Sequence, residues 1–117
     1  MLVRDIVKTL DAEILTGEEN LELDIQAGCG ADLMSDVMAF VKDNVILLTG
    51  LINVQVVRTA EMMDIKVVCF VRGKQPTEQI IELAKSKGIT ILSTKNPMFI
   101  ACGLLYKAGL TGRGVWD

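Results

Sequence analysis

The 117-residue chain contains no histidine. That absence removes the commonest general base, the usual activator of serine and cysteine nucleophiles, and the commonest transition-metal ligand. Carboxylate, lysine or thiol chemistry is left, and no cofactor is called for. Aromatic residues make up only 4% of a chain that is 50% hydrophobic, so the core has to be built from Val, Ile, Leu, Met and Ala. Basic residues are few and scattered. Twelve Lys and Arg against fifteen Asp and Glu give a net charge of −3, and no two basic residues are adjacent. A clustered basic face for nucleic acid is thereby excluded. No apolar run reaches the roughly 18 residues of a membrane span. Met1-Leu2-Val3-Arg4-Asp5 lacks the basic-then-apolar layout of a secretory leader. Three cysteines, Cys29, Cys69 and Cys102, form no CxxC pair. An odd count without close spacing fits a reducing cytoplasm better than a disulfide scaffold.

What the chain does contain is alternation of strands and helices. Asn44–Gly50, Lys66–Gly73 and Ile89–Thr94 are near-continuous apolar runs that close on small or charged residues. Such runs are strands buried on both faces. Segments of helical period separate them, which predicts an α/β fold: a mainly parallel sheet with helices on both faces, in three layers. One domain fits the length, with a core over about residues 2–108 and a short tail over 109–117.

Residues 2–10 read as an amphipathic helix, and Ala12–Thr16 as a short strand stopped by Gly17. Leu21–Ile25 alternates strictly and predicts an edge strand, with Gly28-Cys29-Gly30 as a turn. Met34, Val37, Met38 and Val41 form a helix stripe, broken at Asp43-Asn44. A helix over about 52–64 would bury Val56, Val57, Ala60 and Met63 and expose Gln55, Arg58, Thr59 and Glu61. Pro76 suits the first turn of the next helix, and Lys87-Gly88 its end. The last helix starts near Asn96-Pro97, and Met98–Tyr106 is apolar nearly all round. That calls for a cover, either the tail or a second subunit; a homodimer is the expectation.

In parallel sheets, ligands bind beyond the carboxyl ends of the strands. Thr49, Gly50 and Asn53 follow one strand, Arg72, Gly73 and Lys74 the next, and Ser93, Thr94 and Lys95 the third. Gly50 lets backbone N–H groups approach an anion at a helix start. Arg72 can pair with a phosphate or carboxylate in bidentate fashion, with Lys74 as a point charge. The plain alternatives are a chain turn, helix caps at Thr49, Asn53 or Thr94, and solvated loop charges. Neither a P-loop nor a G-x-G-x-x-G after a strand is present. Asp32 and Asp36, four apart, would share a helix face as paired carboxylates or simply mark a helix start. Cys29 between glycines has no basic neighbour to lower its pKa, and no nearby ligand to make a metal site. Cys69 and Cys102 lie inside apolar runs and read as core.

The order of Ala31–Ala39, Leu48-Thr49-Gly50, Arg72-Gly73-Lys74-Gln75-Pro76 and Ile91–Lys95 with a closing helix resembles the DRTGG domain over roughly residues 2–108. It is also similar to the N-terminal domain of bacterial HPr kinase/phosphorylase. The literal Asp-Arg-Thr-Gly-Gly string is absent; the nearest fragment is Thr49-Gly50 followed by Leu51. DRTGG domains stand beside CBS domains in regulatory pyrophosphatases and beside acyltransferase or synthetase-like domains. The resemblance implies a regulatory role, with no catalytic residues and a nucleotide as the ligand to expect. The expectation is thus a non-catalytic sensing domain, binding a small anion such as an adenine nucleotide at Thr49, Gly50, Asn53, Arg72, Gly73, Ser93 and Thr94. The alternative is an interaction module that docks a partner enzyme or regulator without a small ligand.

Overall fold

The computed structural model describes residues 1–40 and 44–112. Val41 and Asp43 of the expected helix stripe and its break lie outside these, as do residues 113–117 of the tail. Five strands form one sheet in the order β1-β5-β4-β3-β2. They are β1 (Glu13–Thr16), β2 (Ala27–Gly30), β3 (Val45–Thr49), β4 (Val67–Phe70) and β5 (Thr90–Ser93). Strands β2 to β5 are parallel, and β1 joins β5 antiparallel.

Each step from β2 to β5 moves one place along the sheet in the same sense. Crossovers of one hand therefore put α2 (Met34–Phe40), α3 (Val54–Met62) and α4 (Glu78–Ser86) on one face. Helices α1 (Val3–Leu10) and α5 (Met98–Lys107) cover the other. The pleat sorts the core between them. Val45 and Leu47 of β3 pack with Val56, Val57, Ala60, Ile80 and Ala84. Ile46 and Leu48 pack with Val3, Ile6, Leu10, Ala101 and Leu105. Burial on both faces is the reason these strands carry no polar alternation.

Caps fix the helix starts. Asn53 accepts from the Gln55 N–H at 2.8 Å to start α3, and Thr77 accepts from the Ile80 N–H at 3.3 Å to start α4. Pro76 is therefore buried one residue ahead of the cap and not in the first turn, because the threonine hydroxyl takes the capping position.

Other local expectations are also corrected. Leu21–Ile25 is not a strand of the sheet. Its alternation is real, since Ile25 is buried and Leu21 and Leu23 are half-buried against α1. Its carbonyls serve the helix, however: those of Leu23 and Leu21 accept from the N–H groups of Val3 and Arg4, each at 3.0 Å. They satisfy first-turn donors that no helix can satisfy itself. Gly28-Cys29-Gly30 is not a turn but most of the edge strand β2. A Cβ at Gly30 would lie 2.8 Å from Cys102 Sγ and 3.1 Å from Met98 Sδ, so glycine is what lets α5 lie against this strand. Thr59 is fully buried, and its hydroxyl has no partner among the described residues. Helix α2 begins only at Met34, so Asp32 stands ahead of it and shares no helix face with Asp36. Met38, placed in the apolar stripe, is 39% exposed.

Candidate functional site

At the carboxyl end of the parallel strands a cleft of about 290 Å³ is lined by Asp32, Gly50, Val71, Arg72, Lys74, Pro97, Met98 and Phe99. These residues come from the segments that follow β2, β3, β4 and β5. The cleft opens where the chain passes from the helices of one face to α5 on the other. Its volume is at the lower end of the range for small-molecule sites.

Asp32 anchors one wall. Its Oδ1 accepts from the Gly50 N–H at 2.8 Å and from the Thr49 hydroxyl at 3.1 Å, and Thr49 Oγ1 in turn accepts from the Leu51 N–H at 3.1 Å. The anion-binding position expected at Gly50 is thus filled by the chain's own carboxylate. Asp32 Oδ2 has no hydrogen-bond partner among the described residues and is available to a donor in the cleft.

The opposite wall is the Arg72-Gly73 turn. Arg72 has φ +61° and Gly73 φ +69°, two successive left-handed residues. Two backbone bonds hold them: Arg72 N–H to Asn96 O and Gly73 N–H to Thr94 O, each at 2.8 Å. The acceptors are themselves tied down. Thr94 Oγ1 donates to Leu10 O at 2.8 Å, Asn96 Nδ2 donates to the same carbonyl at 3.0 Å, and Thr94 Oγ1 accepts from Asn96. The end of α1, the β5–α5 loop and the Arg72 turn form one connected frame. The Arg72 side chain is exposed, and neither it nor Lys74 has an ion-pair partner among the described residues. Phe99, 85% exposed, offers an aromatic ring to the same cleft.

The structure thus brings Gly50 and Arg72 into one cleft, with Thr49 behind them. It does not bring all seven expected residues together. Asn53 is engaged as the α3 cap. Thr94 is buried with its hydroxyl committed to the frame. Gly73 and Ser93 line a neighbouring depression with Asp11, Ala12, Glu13, Gln75 and Lys95. There Ser93 Oγ donates to Lys74 O at 3.1 Å and accepts from Gln75 Nε2 at 3.2 Å. Sequence reading singled out neither Phe99, which looked like helix core, nor the capping role of Asp32. The signal for Phe99 was its place one turn past a strand end.

The thiols lie away from this chemistry. Burial pushes Cys29 up from the ordinary thiol value, with Cys102 and Asp36 adding to the effect, and burial also raises Cys102. Burial first, then Cys102, pushes Cys69 up to about 12. Cys102 is half-buried, less enclosed than a core position. Among the described residues no group of three His, Cys, Asp or Glu is placed to hold a metal ion, and no helix is long and apolar enough to cross a membrane.

The DRTGG domain matches residues 5–106. The chain belongs to the DRTGG domain family. A crystal structure of the CBS and DRTGG domains of the regulatory region of Clostridium perfringens pyrophosphatase, complexed with the activator diadenosine tetraphosphate, matches this fold. The TM-score is 0.71 at 23% identity, over 97% of this DRTGG chain and 49% of the other. The chain therefore spans about half the length of that solved relative. A comparison with curated proteins finds no match.

Proposed function

We infer that this DRTGG domain is a non-catalytic regulatory module whose strand-end cleft binds a small anionic ligand of the adenine nucleotide class. One observation carries the reading. Arg72 is held in a backbone conformation that disfavours a side chain, yet it presents an unpaired guanidinium to a cleft that also holds Lys74 and an exposed Phe99. Strain of this kind concentrates at functional sites. A phosphate fits Arg72 and Lys74 better than the Gly50 N–H, which Asp32 already occupies. A base fits the Phe99 ring, and a ribose hydroxyl fits the open Asp32 Oδ2. The activator named for the Clostridium perfringens regulatory region, diadenosine tetraphosphate, supports the same ligand class.

Titration with AMP, ATP, dinucleoside polyphosphates and cyclic dinucleotides tests this, read by thermal shift and calorimetry. A saturable response to one of them is expected. Arg72→Ala should then weaken binding by about 1.5–3 kcal/mol, the scale of a hydrogen bond to a charged group. Unchanged affinity would remove Arg72 from the site. No response at millimolar concentrations would favour the interaction-module reading, for which a stoichiometric protein partner is the expected finding.

A further inference from the structure

Helix α5 leaves one face bare. Ala101 and Leu105 are buried against the sheet, with Met98, Cys102 and Leu104 half-buried beside them. Phe99, Ile100, Gly103, Tyr106 and Lys107 are exposed. At 3.6 residues per turn Gly103 is the centre of that exposed face, with Phe99 and Tyr106 along one side and Ile100 and Lys107 along the other. Six large apolar side chains are exposed among the described residues, and this helix carries three: Phe99 at 85%, Tyr106 at 68% and Ile100 at 46%. Such a concentration marks a contact surface. A Cβ on Gly103 would meet nothing within 4 Å. The fold of the single chain therefore does not demand glycine there, and its bare backbone matters only to something approaching from outside.

We propose that this face pairs with a second copy of the chain, the two α5 helices crossing antiparallel over Gly103 about a two-fold axis. The face is its own complement under that operation. Phe99 then meets the partner's Tyr106, an aromatic pair, and Ile100 meets the aliphatic stem of the partner's Lys107. The helix face carries no acidic residue, and Lys107 is its one charge. The two-fold sends the two Lys107 groups to opposite ends, so they do not repel. Each arrives at the α5 end of the other copy where the open Asp32 oxygen lines the cleft. Because Phe99 belongs to that cleft, the partner's Tyr106 closes over its rim, and each cleft is completed by the other copy.

The test uses no nucleotide, so its failure and a failure of the ligand reading are distinguishable. Sedimentation equilibrium of the unmodified chain should give twice 12.8 kDa. Gly103→Arg should halve the mass and leave the circular dichroism spectrum and melting temperature unchanged, since the position is open in the single chain. For register, Phe99→Cys and Tyr106→Cys variants mixed under mild oxidation should form a mixed disulfide, with each variant alone as control for the native thiols. A monomer at every concentration overturns the proposal. So does a Gly103→Arg variant that still sediments as a dimer, or a Phe99→Cys variant that cross-links to itself faster than to its counterpart.

Discussion

Arg72 stands where glycine or asparagine would relax the backbone, and that fixes the sign of its substitutions. A left-handed conformation costs a residue with a Cβ about 1–2 kcal/mol. Arg72→Gly should therefore raise the unfolding free energy in urea by about 1 kcal/mol, after allowance for the greater freedom glycine gives the unfolded chain, while nucleotide affinity falls as in Arg72→Ala. A loss of stability in Arg72→Gly would mean that the side chain holds the turn and that the strain argument fails. Cys69 gives the pH prediction at the same scale. Its folded value, pushed up to about 12, lies above the ordinary thiol value of 9.0. The folded state therefore favours the neutral thiol, and this stability is fully present below pH 9. It is lost as the pH rises from about 9 toward 12, where the unfolded chain gives up its proton first. Urea midpoints across that range should fall more steeply for the native chain than for Cys69→Val, which has no proton to lose there.

Between elements, the decisive contacts are close approaches that no local pattern announces. Gly17 ends β1 at φ +85°, and a Cβ there would lie 2.5 Å from the Thr90 Cα and 2.5 Å from its hydroxyl. That hydroxyl donates to Gly17 O at 2.7 Å, so the two strands interlock at this point. Gly17→Ala should cost about 2–4 kcal/mol from strain plus overpacking, enough to lower the thermal midpoint by several degrees. A change below about 0.5 kcal/mol, the level of an ordinary surface substitution, would show that the β1–β5 edge yields freely. The same kind of contact explains what the sequence concealed. Strands β3, β4 and β5 were legible because burial on both faces leaves an unbroken apolar run. Gly28-Cys29-Gly30 was not, because glycine is tolerated in that strand only through the nearness of α5, almost seventy residues further on. Leu21–Ile25 alternated for a sound reason, burial of one side, but alternation does not say whether the backbone pairs with a strand or with the start of a helix.

For the whole molecule, the winding of the chain decides where the site is and how a ligand would act on it. Strand order made the expectation of a strand-end site sound, and Gly50 and Arg72 do meet in one cleft. Asp32 and Phe99 entered it through loops whose meeting depends on β2 lying at the far edge and on α5 crossing back beneath it, a tertiary fact without local signature. The resulting cleft takes Asp32, Gly50 and Arg72 from loops that lead into or past the α2–α4 layer, and Phe99 from the α5 layer. A ligand seated there would fasten the two layers to each other across the sheet edge. Its effect should then appear as global stabilisation and not as local ordering alone. At a free concentration of about 100 times Kd the gain should be about 2.7 kcal/mol. Arg72→Ala should shift the whole stabilisation curve to higher ligand concentration without changing its slope. Hydrogen exchange gives the spatial check: amides in the cores of both layers should slow together on ligand addition. If only Gly50, Leu51 and the Arg72–Lys74 turn slowed, while β4 and α5 exchanged as before, the ligand would be gripping one loop at the surface and the bridging role of the cleft would be wrong.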